Sequence, residues 1–526
     1  MKTPRLVVIV LDAADSQLLR QWSSRGYLPT LSRLMENGIT APVATPPAVL
    51  EGAVWPTLTT GCLPGTHGMF SYYQLKPGTY KEELGLRADR MPVAPFWVSL
   101  SEAGKRLAII DAPFSIPHQG LNGIQIVNWG AHDRWSWDSS SWPDHLLHDV
   151  TNRFGLHPVP LCDARGRTPT DYEDLKIRLL DGVRKKSALL RYCLSLEPWD
   201  FLFGVFSESH CVGHQCWHLL DSTHPRHDPI AHAALTGTIL EVYRAIDRAI
   251  GELVNDLPSN VHVIVMSSHG MGPYYTGSHL LKEILDRLAV NDGVKASGGP
   301  DLKQEMWDLR RFLPDKARRL LKAWCPRALG TLWSCFHPLS DERRQMRAFK
   351  FPSNDMTSAI RINLKGRDPD GCVEPGRDYE ALCAELTDAL LALQNPDTGQ
   401  SAVQWVRRSA ELFQGPRLHE LPDVFIEWEH SVPINALCSP KTGTVTGVYR
   451  SERTGNHRAG GLLIGSGPEF GAGSLDAVIR TVDIAPTILD FFGVAAPAHF
   501  EGRTVLDAMR KVRSRPPEES PLAAVS

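Results

Sequence analysis

Short apolar runs that alternate with helical segments constrain this chain more than any other feature. The first run, residues 6–11, is rich in β-branched side chains and lacks polar alternation, which is the pattern of a strand buried on both faces of a parallel sheet. Similar runs follow at 106–113, 123–128, 201–206 and 260–266. Amphipathic helical spacing separates the later runs. The alternation predicts an α/β fold with a doubly wound, mostly parallel sheet flanked by helices.

Length and composition indicate a large globular protein. The chain has 526 residues, of which 42% are hydrophobic and 22% charged, enough for one large domain with insertions. We expect an α/β core at 1–280 and 351–510, and a disordered tail at 511–526. An insertion at 281–350, whose part 302–336 is rich in Arg, Lys and Trp, is predicted to be a helical, basic cap. A solvated amphipathic surface is the alternative.

Charge and cysteine usage exclude several classes of protein. The 56 Lys and Arg residues balance 59 Asp and Glu residues, for a net charge of −3, so no nucleic-acid binding is expected. No stretch reaches the roughly 18 apolar residues of a membrane span, and the run 6–11 is too short for a signal peptide. The ten cysteines are scattered without a CxxC pair, which predicts reduced thiols and a cytoplasmic protein. Nothing indicates the oligomeric state.

Potential metal ligands are concentrated in residues 206–218, FSESHCVGHQCWH. His210 and His214 are four residues apart, so on a helix they would lie on the same face. The apolar run before them would deliver them at the carboxyl end of a strand, where open α/β sheets bind ligands. A histidine-rich helix face exposed to solvent is the alternative interpretation.

Other strand ends carry further side chains of this kind. Asp12 follows the first apolar run, and Ser268 and His269 follow the run 260–266. Nearer the C-terminus, His457 is predicted to lie in a turn before an apolar strand. Asp12 could instead cap the next helix. Ligands that converge from separate strand ends are typical of a metal site in an α/β fold.

In order and spacing, these residues resemble the alkaline phosphatase superfamily, on the side of its type I phosphodiesterase and nucleotide pyrophosphatase branch. The resemblance covers most of the chain. The matching pieces are the opening strand that ends in Asp12, Leu-Pro-Thr-Leu at 28–31, Trp55 to Gly61, Pro-Gly-Thr-His-Gly at 64–68, His214 with Trp217 and Asp221, Ser-His-Gly-Met-Gly at 268–272, and the segments 361–367, 422–423, 455–457 and 483–489.

The resemblance implies a metal-dependent hydrolase of a phosphoric ester, of the phosphodiesterase or phosphatase type, that acts on a small-molecule substrate. In such enzymes two divalent ions, usually zinc, clamp the attacking and leaving oxygens. The resemblance further implies that Asp12 and His269 hold one ion, and that His214 and His457 hold the other. His67 and basic residues of the cap would contact the substrate.

Three positions depart from the pattern of the family. His210 stands where the family has Asp, Ser268 replaces the Asp of Asp-His-Gly, and Glu51 falls where the family places a Ser or Thr nucleophile. Imidazole is a good zinc ligand, so His210, His214 and His457 would form a three-histidine site. The other two changes are opposite in direction: a hydroxyl replaces a carboxylate at position 268, and a carboxylate replaces a hydroxyl at position 51. We therefore hypothesise that Glu51 is a metal ligand and that Ser268, or a water activated at the metal, attacks phosphorus.

Other interpretations of Glu51 stay open. It could act as a general base, a role poorly suited to the N-terminus of the predicted helix 51–60. The alignment by counting could also be displaced, although the nearest hydroxyls, Thr45 and Thr57, lie six residues away. Two further functions remain as alternatives: a catalytically altered relative that performs group transfer on a specialised metabolite, and a non-catalytic protein that binds a metal or an anion.

Overall fold

The computed structural model describes residues 5–46, 52–84, 91–130, 139–159, 168–291, 342–351, 353, 356–447, 451, 453–475 and 477–512. Three of the predictions concern residues outside these ranges: the centre of the basic cap (302–336), the tail beyond 512, and Glu51. They stay predictions, as do the domain boundaries.

The helices of the described residues are α1 (Ser16–Ser24), α2 (Pro29–Asn37), α3 (Val54–Thr60), α4 (Pro64–His67), α5 (Phe96–Glu102), α6 (Leu146–Phe154), α7 (Pro169–Leu196), α8 (Glu208–Leu220), α9 (Thr238–Asn255), α10 (Leu281–Arg287), α11 (Arg377–Leu391), α12 (Ser409–Leu412), α13 (Ile484–Phe491) and α14 (Leu506–Lys511). The strands are β1 (Leu6–Leu11), β2 (Ile39–Ala44), β3 (Tyr73–Leu75), β4 (Glu82–Leu84), β5 (Leu107–Ile110), β6 (Gly123–Val127), β7 (Ser140–Trp142), β8 (Phe201–Phe206), β9 (His262–Ser267), β10 (Gly270–Pro273), β11 (Ala348–Phe351), β12 (Thr357–Ile362), β13 (Gln394–Asn395), β14 (Gln400–Ser401), β15 (Val403–Arg408), β16 (Val424–Trp428), β17 (Ala436–Ser439), β18 (Gly443–Thr446), β19 (Gly455–Arg458), β20 (Gly461–Ser466), β21 (Gly473–Ser474) and β22 (Ile479–Arg480).

A mostly parallel sheet forms the centre of the molecule. In the described part of the chain this sheet has ten strands, in the order β21-β2-β20-β9-β1-β8-β5-β6-β7, with β22 beside β2. The strands β9, β1, β8, β5 and β6 are parallel to one another, whereas β20 and β7 run antiparallel to β9 and β6. The predicted α/β fold, with a mostly parallel sheet between helices, is confirmed.

Strand β1 shows why helices cover both faces of this sheet. Val7, Ile9 and Leu11 belong to one apolar core, together with residues of α7, α8 and α9. The intervening residues of β1 belong to a second core, together with residues of α3, α5 and α13. Successive side chains of a strand point to opposite faces, and full burial of each aliphatic side chain contributes about 1.5–3 kcal/mol. An uninterrupted apolar strand therefore requires two covering layers.

Residues 348–446 form two smaller antiparallel sheets, β11-β12-β16-β15 and β14-β13-β17-β18. Helices α10 and α11 contribute to the apolar core of this region. In the first of these sheets, β12 pairs with both β11 and β16 in antiparallel register.

The structure also describes the apolar character of the helices and the state of several cysteines. No helix among the described residues is both long and apolar enough to cross a membrane. Cys211 is disulfide-bonded, so the prediction of reduced thiols is wrong at this residue. The free cysteines among the described residues are Cys62, Cys193, Cys216, Cys372, Cys383 and Cys438.

Candidate metal centre

The predicted ligands lie where neighbouring parallel strands end. Asp12 directly follows β1, and Ser268 and His269 directly follow β9. Strand β8 ends at Phe206, and α8 begins two residues later, at Glu208. Strand β1 pairs with both β8 and β9 in parallel register, so all three carboxyl ends lie at the same edge of the sheet. The fold thus places these side chains where an α/β sheet binds ligands.

Three histidines form a compact cluster at this edge. His210 and His214 lie one turn apart on α8, and His457 comes from β19; all three are buried, and their ligand atoms lie within 4.8 Å of one another. The Nε2 atoms of His210 and His214 are 3.1 Å apart. Two nitrogens that each bind a tetrahedral zinc ion at about 2.0–2.1 Å are separated by roughly 3.4 Å. The cluster, which we call the histidine cluster, therefore fits one zinc-sized ion.

The prediction that His457 lies in a turn is wrong. His457 lies in β19, which pairs with β10 in antiparallel register so that His457 stands opposite Met271. Strand β10 begins directly after His269. The short β10-β19 ladder therefore extends from the end of β9 and brings His457 to the site from a distant part of the chain.

Two glycines allow β10 and β19 to approach α8 closely. A Cβ atom on Gly455 would lie 2.3 Å from the carbonyl oxygen of Gly213, and a Cβ on Gly213 would lie 2.6 Å from Cγ of Met271. This close approach lets Nδ1 of His214 donate a hydrogen bond to the carbonyl oxygen of Gly455, at 2.8 Å. With its proton on Nδ1, His214 presents the Nε2 lone pair to the cluster, as a metal ligand must.

Burial favours the neutral form of His214 and His269. It lowers the pKa of His214 well below the usual value of 6.5, and the charges of Arg453 and His457 lower this pKa further. Burial likewise lowers the pKa of His269 well below its usual value, with a further contribution from His457. Neutral imidazole is the form that binds a metal, so little free energy is needed to deprotonate these ligands at neutral pH.

Asp12 and His269, the predicted ligands of a second ion, lie beside the histidine cluster. Asp12 is buried; its Oδ1 accepts a hydrogen bond from Nε1 of Trp55 at 3.0 Å, and its carbonyl oxygen accepts one from Oγ of Ser209 at 2.7 Å. The ring of His269 lies 4.8 Å from that of His457. The buried Nε2 of His269 has no hydrogen-bond partner among the described residues. This is expected of a nitrogen that binds a metal ion.

Within the described ranges, the histidine cluster is the one group of three or more side chains that could hold a metal ion. The second predicted group also includes Glu51, which lies outside those ranges. The helix predicted to start at Glu51 is described from Val54 to Thr60. The roles of Glu51, Asp12 and His269 at a second ion stay predictions.

Ser268, the predicted nucleophile, contacts the neighbouring histidine. Its Oγ lies 3.2 Å from Nδ1 of His269, and both residues are buried. If Nε2 of His269 binds a metal, Nδ1 of the neutral ring carries the proton and donates it to Oγ of Ser268. In that state Ser268 accepts this hydrogen bond and orients His269. With the proton on Nε2 and no metal bound there, Nδ1 could instead accept the proton of Ser268.

His67, predicted to contact substrate, is fully buried. Its Nε2 lies 3.0 Å from Oγ1 of Thr57, and its Nδ1 accepts the backbone N–H of Met69 at 3.1 Å. Burial, with a smaller effect of Arg417, lowers the pKa of His67 to about 3. Both ring nitrogens contact protein groups, which indicates a structural role; the substrate contact stays a prediction.

Arg453 is a site residue that the sequence analysis missed. Its Nη1 lies 3.4 Å from Nε2 of His214, on the side of the ring that faces the histidine cluster. A signal was present in the sequence, because Arg453 lies two residues before the Gly455-Asn-His457 segment of the family pattern. A cation adjacent to a metal-binding motif indicates an anionic ligand.

Comparison with known proteins identifies the family. Residues 6–436 match the type I phosphodiesterase / nucleotide pyrophosphatase family, and the chain belongs to this family. The match confirms the predicted resemblance and supports the coarse class, a phosphoester hydrolase of the alkaline phosphatase superfamily. No curated protein matches the chain.

Solved structures show the same fold at low sequence identity. Phosphonoacetate hydrolase from Sinorhizobium meliloti 1021, in complex with phosphonoformate, has a TM-score of 0.50 at 15% identity, over 92% of this chain and 94% of that chain. A mutant of the alkaline phosphatase PafA has a TM-score of 0.52 at 13% identity, over 97% of this chain and 99% of that chain. These similarities confirm the alkaline phosphatase-like fold.

Proposed function

We propose that the protein is a metal-dependent hydrolase of a phosphoric ester, of the phosphodiesterase or phosphatase type, with two zinc ions and a small-molecule substrate. The observation that carries the proposal is the histidine cluster, whose three ligand atoms lie within 4.8 Å of one another. It lies at the edge of the sheet where the family pattern places its metal ligands. The type I phosphodiesterase family match supports the reaction class.

The chemistry of the donor groups fits zinc. His210, His214 and His457 would hold one ion through neutral imidazoles, and Asp12 and His269 would hold the other together with Glu51. When bound, such ions polarise phosphoryl oxygens and lower the pKa of water. The remaining steps depend on how the side chains of this chain bind and orient the ester.

Arg453 is proposed to bind the phosphoryl group. Its guanidinium lies 3.4 Å from a nitrogen of the proposed metal centre, where it would repel a divalent cation unless an anion lay between them. A phosphoryl oxygen is such an anion, and guanidinium donors match its geometry. Arg453 would thus orient the ester and stabilise the negative charge that develops on its oxygens.

Two roles are consistent with the contact between Ser268 and His269. In the first, Nδ1 of His269 accepts the proton of Ser268 and the hydroxyl attacks phosphorus, as in other serine–histidine pairs; Nε2 then carries the proton of the neutral ring, so Asp12 and Glu51 would hold the second ion without His269. In the second, His269 donates to Ser268, which then orients the ring. A single proton lies between the two atoms, 3.2 Å apart, so one residue cannot perform both roles at once.

The test combines metal analysis with turnover. Purified protein should contain stoichiometric zinc or another transition metal and should hydrolyse aryl phosphate monoesters or diesters. His214→Ala should abolish both properties, whereas His232→Ala should retain them, because His232 lies outside the histidine cluster. Protein without stoichiometric metal, or unchanged hydrolysis in His214→Ala, would refute the proposal.

The test also separates the remaining alternatives. Stoichiometric metal without turnover on phosphoesters, phosphonates or sulfoesters would favour a non-catalytic metal- or anion-binding protein. A product that carries the transferred group on an acceptor other than water would favour group transfer on a specialised metabolite. The cytoplasmic location stays a prediction from the sequence.

A further inference from the structure

A second group of charged side chains is buried beside the histidine cluster. Asp111, His157, Lys186 and Glu208, which we call the buried charge cluster, are 0%, 6%, 0% and 0% exposed. Such side chains are rarely buried unless they are paired. Here Nζ of Lys186 contacts Oδ2 of Asp111, and Nε2 of His157 lies 2.9 Å from Oε1 of Glu208. None of the four is a ligand in the proposed metal centre.

Helix α7 presents two residues to this cluster. Gly182 and Lys186 are four residues apart and therefore lie on the same helix face. A Cβ atom on Gly182 would lie 2.9 Å from Nε2 of His157 and 3.1 Å from Oε1 of Glu208. Gly182 thus leaves space for the His157–Glu208 pair, while Lys186 supplies the cation one turn away.

Gly130 lies next to both pairs, and Asp111 anchors its pair to the edge of the sheet. A Cβ on Gly130 would lie 2.8 Å from Cδ2 of His157 and 3.0 Å from Nζ of Lys186. The carboxylate of Asp111, directly after β5, accepts the backbone N–H groups of Trp129 and Gly130 at 2.7 and 2.8 Å. Asp111 has a φ of +59°, a conformation that the surrounding contacts must hold in place.

The geometry points to a positioning role, and we propose that His157 and Glu208 set the placement of α8 and of its metal-site histidines, His210 and His214. Glu208 is the first residue of α8, two residues before His210. Nδ1 of His157 lies 3.2 Å from the carbonyl oxygen and 3.3 Å from the backbone nitrogen of Val159. An ionised carboxylate only accepts hydrogen bonds, so Nε2 of His157 donates to Glu208. This buried bond fixes the start of α8, where water cannot replace it. The inference rests on the metal centre proposed above.

Glu208→Gln tests this role, with Glu241→Gln as the matched control. Glu241 is likewise a glutamate in an ion pair, at 2.6 Å from Nζ of Lys176 on α7, but it lies on α9, which carries none of the three histidines of the histidine cluster. The readouts are the affinity for Co²⁺, the visible absorption spectrum of the bound Co²⁺, and the Tm of the metal-free protein in EDTA. Glu208→Gln should lower the Co²⁺ affinity about 10-fold or more and change the spectrum, whereas Glu241→Gln should match the wild type.

A purely structural role for Glu208 would give a different result. It would lower the Tm of the metal-free protein and leave the Co²⁺ affinity and spectrum unchanged, and this outcome would overturn the inference. If Glu208→Gln fails to fold, His157→Gln carries the same test with the same expectation.

The outcome for the wild type separates this inference from the proposed function. Wild-type protein that binds Co²⁺ but hydrolyses no phosphoester would refute the proposed function, and the positioning role would still be decided by Glu208→Gln. Wild-type protein that binds no Co²⁺ would refute both.

Discussion

Nδ1 of His214 lies 2.8 Å from the carbonyl oxygen of Gly455, across a separation of 241 positions in the sequence. This hydrogen bond joins α8 to β19, which also carries His457. It orients one ligand of the histidine cluster and anchors the strand that supplies another. The geometry of the histidine cluster therefore depends on the close approach of Gly455 to the backbone of α8, which leaves no room for a side chain at position 455.

Gly455→Ala should disrupt the histidine cluster. The added Cβ would lie 2.3 Å from the carbonyl oxygen of Gly213, so β19 must shift, at a cost of about 1–3 kcal/mol of stability. Loss of the bond to His214 should lower zinc affinity about 10- to 100-fold, measured by competition with a chelating dye. Gly237→Ala is the control, because its nearest neighbour would lie 3.5 Å away. Wild-type zinc affinity in Gly455→Ala would contradict the account.

Ser268→Ala distinguishes the two roles proposed for Ser268. If the hydroxyl attacks phosphorus, turnover should fall by at least about 10³-fold while the metal content stays at the wild-type level. If Ser268 orients His269, the metal content should fall and added zinc should restore part of the turnover. Metal content and phosphoester hydrolysis, measured on the same preparation, decide between the two roles. Wild-type values of both quantities would exclude both roles.

Arg453→Ala should weaken the binding of anions more than that of metal. Loss of a charge-assisted contact of about 1.5–3 kcal/mol corresponds to a rise of about 10- to 150-fold in the inhibition constant of inorganic phosphate. Arg226→Ala is a suitable control, because Arg226 lies nearby and donates to the carbonyl oxygen of Ser451 at 3.1 Å. Equal effects of the two substitutions would indicate a general charge effect and would contradict a specific role for Arg453.

His67 should make the protein less stable in acid. Burial lowers its folded-state pKa to about 3, against about 6.5 in the unfolded chain. The unfolded state therefore binds more protons between these values, and stability falls as the pH drops from 6.5 toward 3. From pH 7 to 5.5 the contribution of His67 is a loss of about 1 kcal/mol.

Urea unfolding of His67→Gln at both pH values measures this contribution. The variant should lose about 1 kcal/mol less stability than the wild type over this interval. His148→Gln, which replaces an exposed histidine, should follow the wild type. Identical pH dependence in His67→Gln and the wild type would show that His67 does not resist protonation.

Local sequence patterns predict the mostly parallel central sheet and where Asp12, His210, His214 and His269 lie relative to its strands. The strands before Asp12, His210 and His269 are mostly apolar runs, and parallel strands place their carboxyl ends at one edge. The positions of these residues therefore followed from strand patterns alone. The spacing of His210 and His214 predicted their common helix face, which the structure confirms.

The remaining features depend on contacts between distant segments. The pairing of β10 with β19 joins residues near 271 and 457, and no local periodicity marks it, so His457 was assigned to a turn. The close approach at Gly455 and the contact of Arg453 with His214 arise from the same pairing. The buried charge cluster likewise combines side chains from four segments, which a pattern in one segment cannot reveal.

The most direct test of the account is anomalous diffraction at the zinc absorption edge from crystals of the zinc-loaded protein. The account predicts a peak about 2.0–2.1 Å from nitrogens of His210, His214 and His457, which should disappear in His214→Ala. The absence of a peak among these three histidines at full zinc loading would contradict the central claim that they form a metal centre.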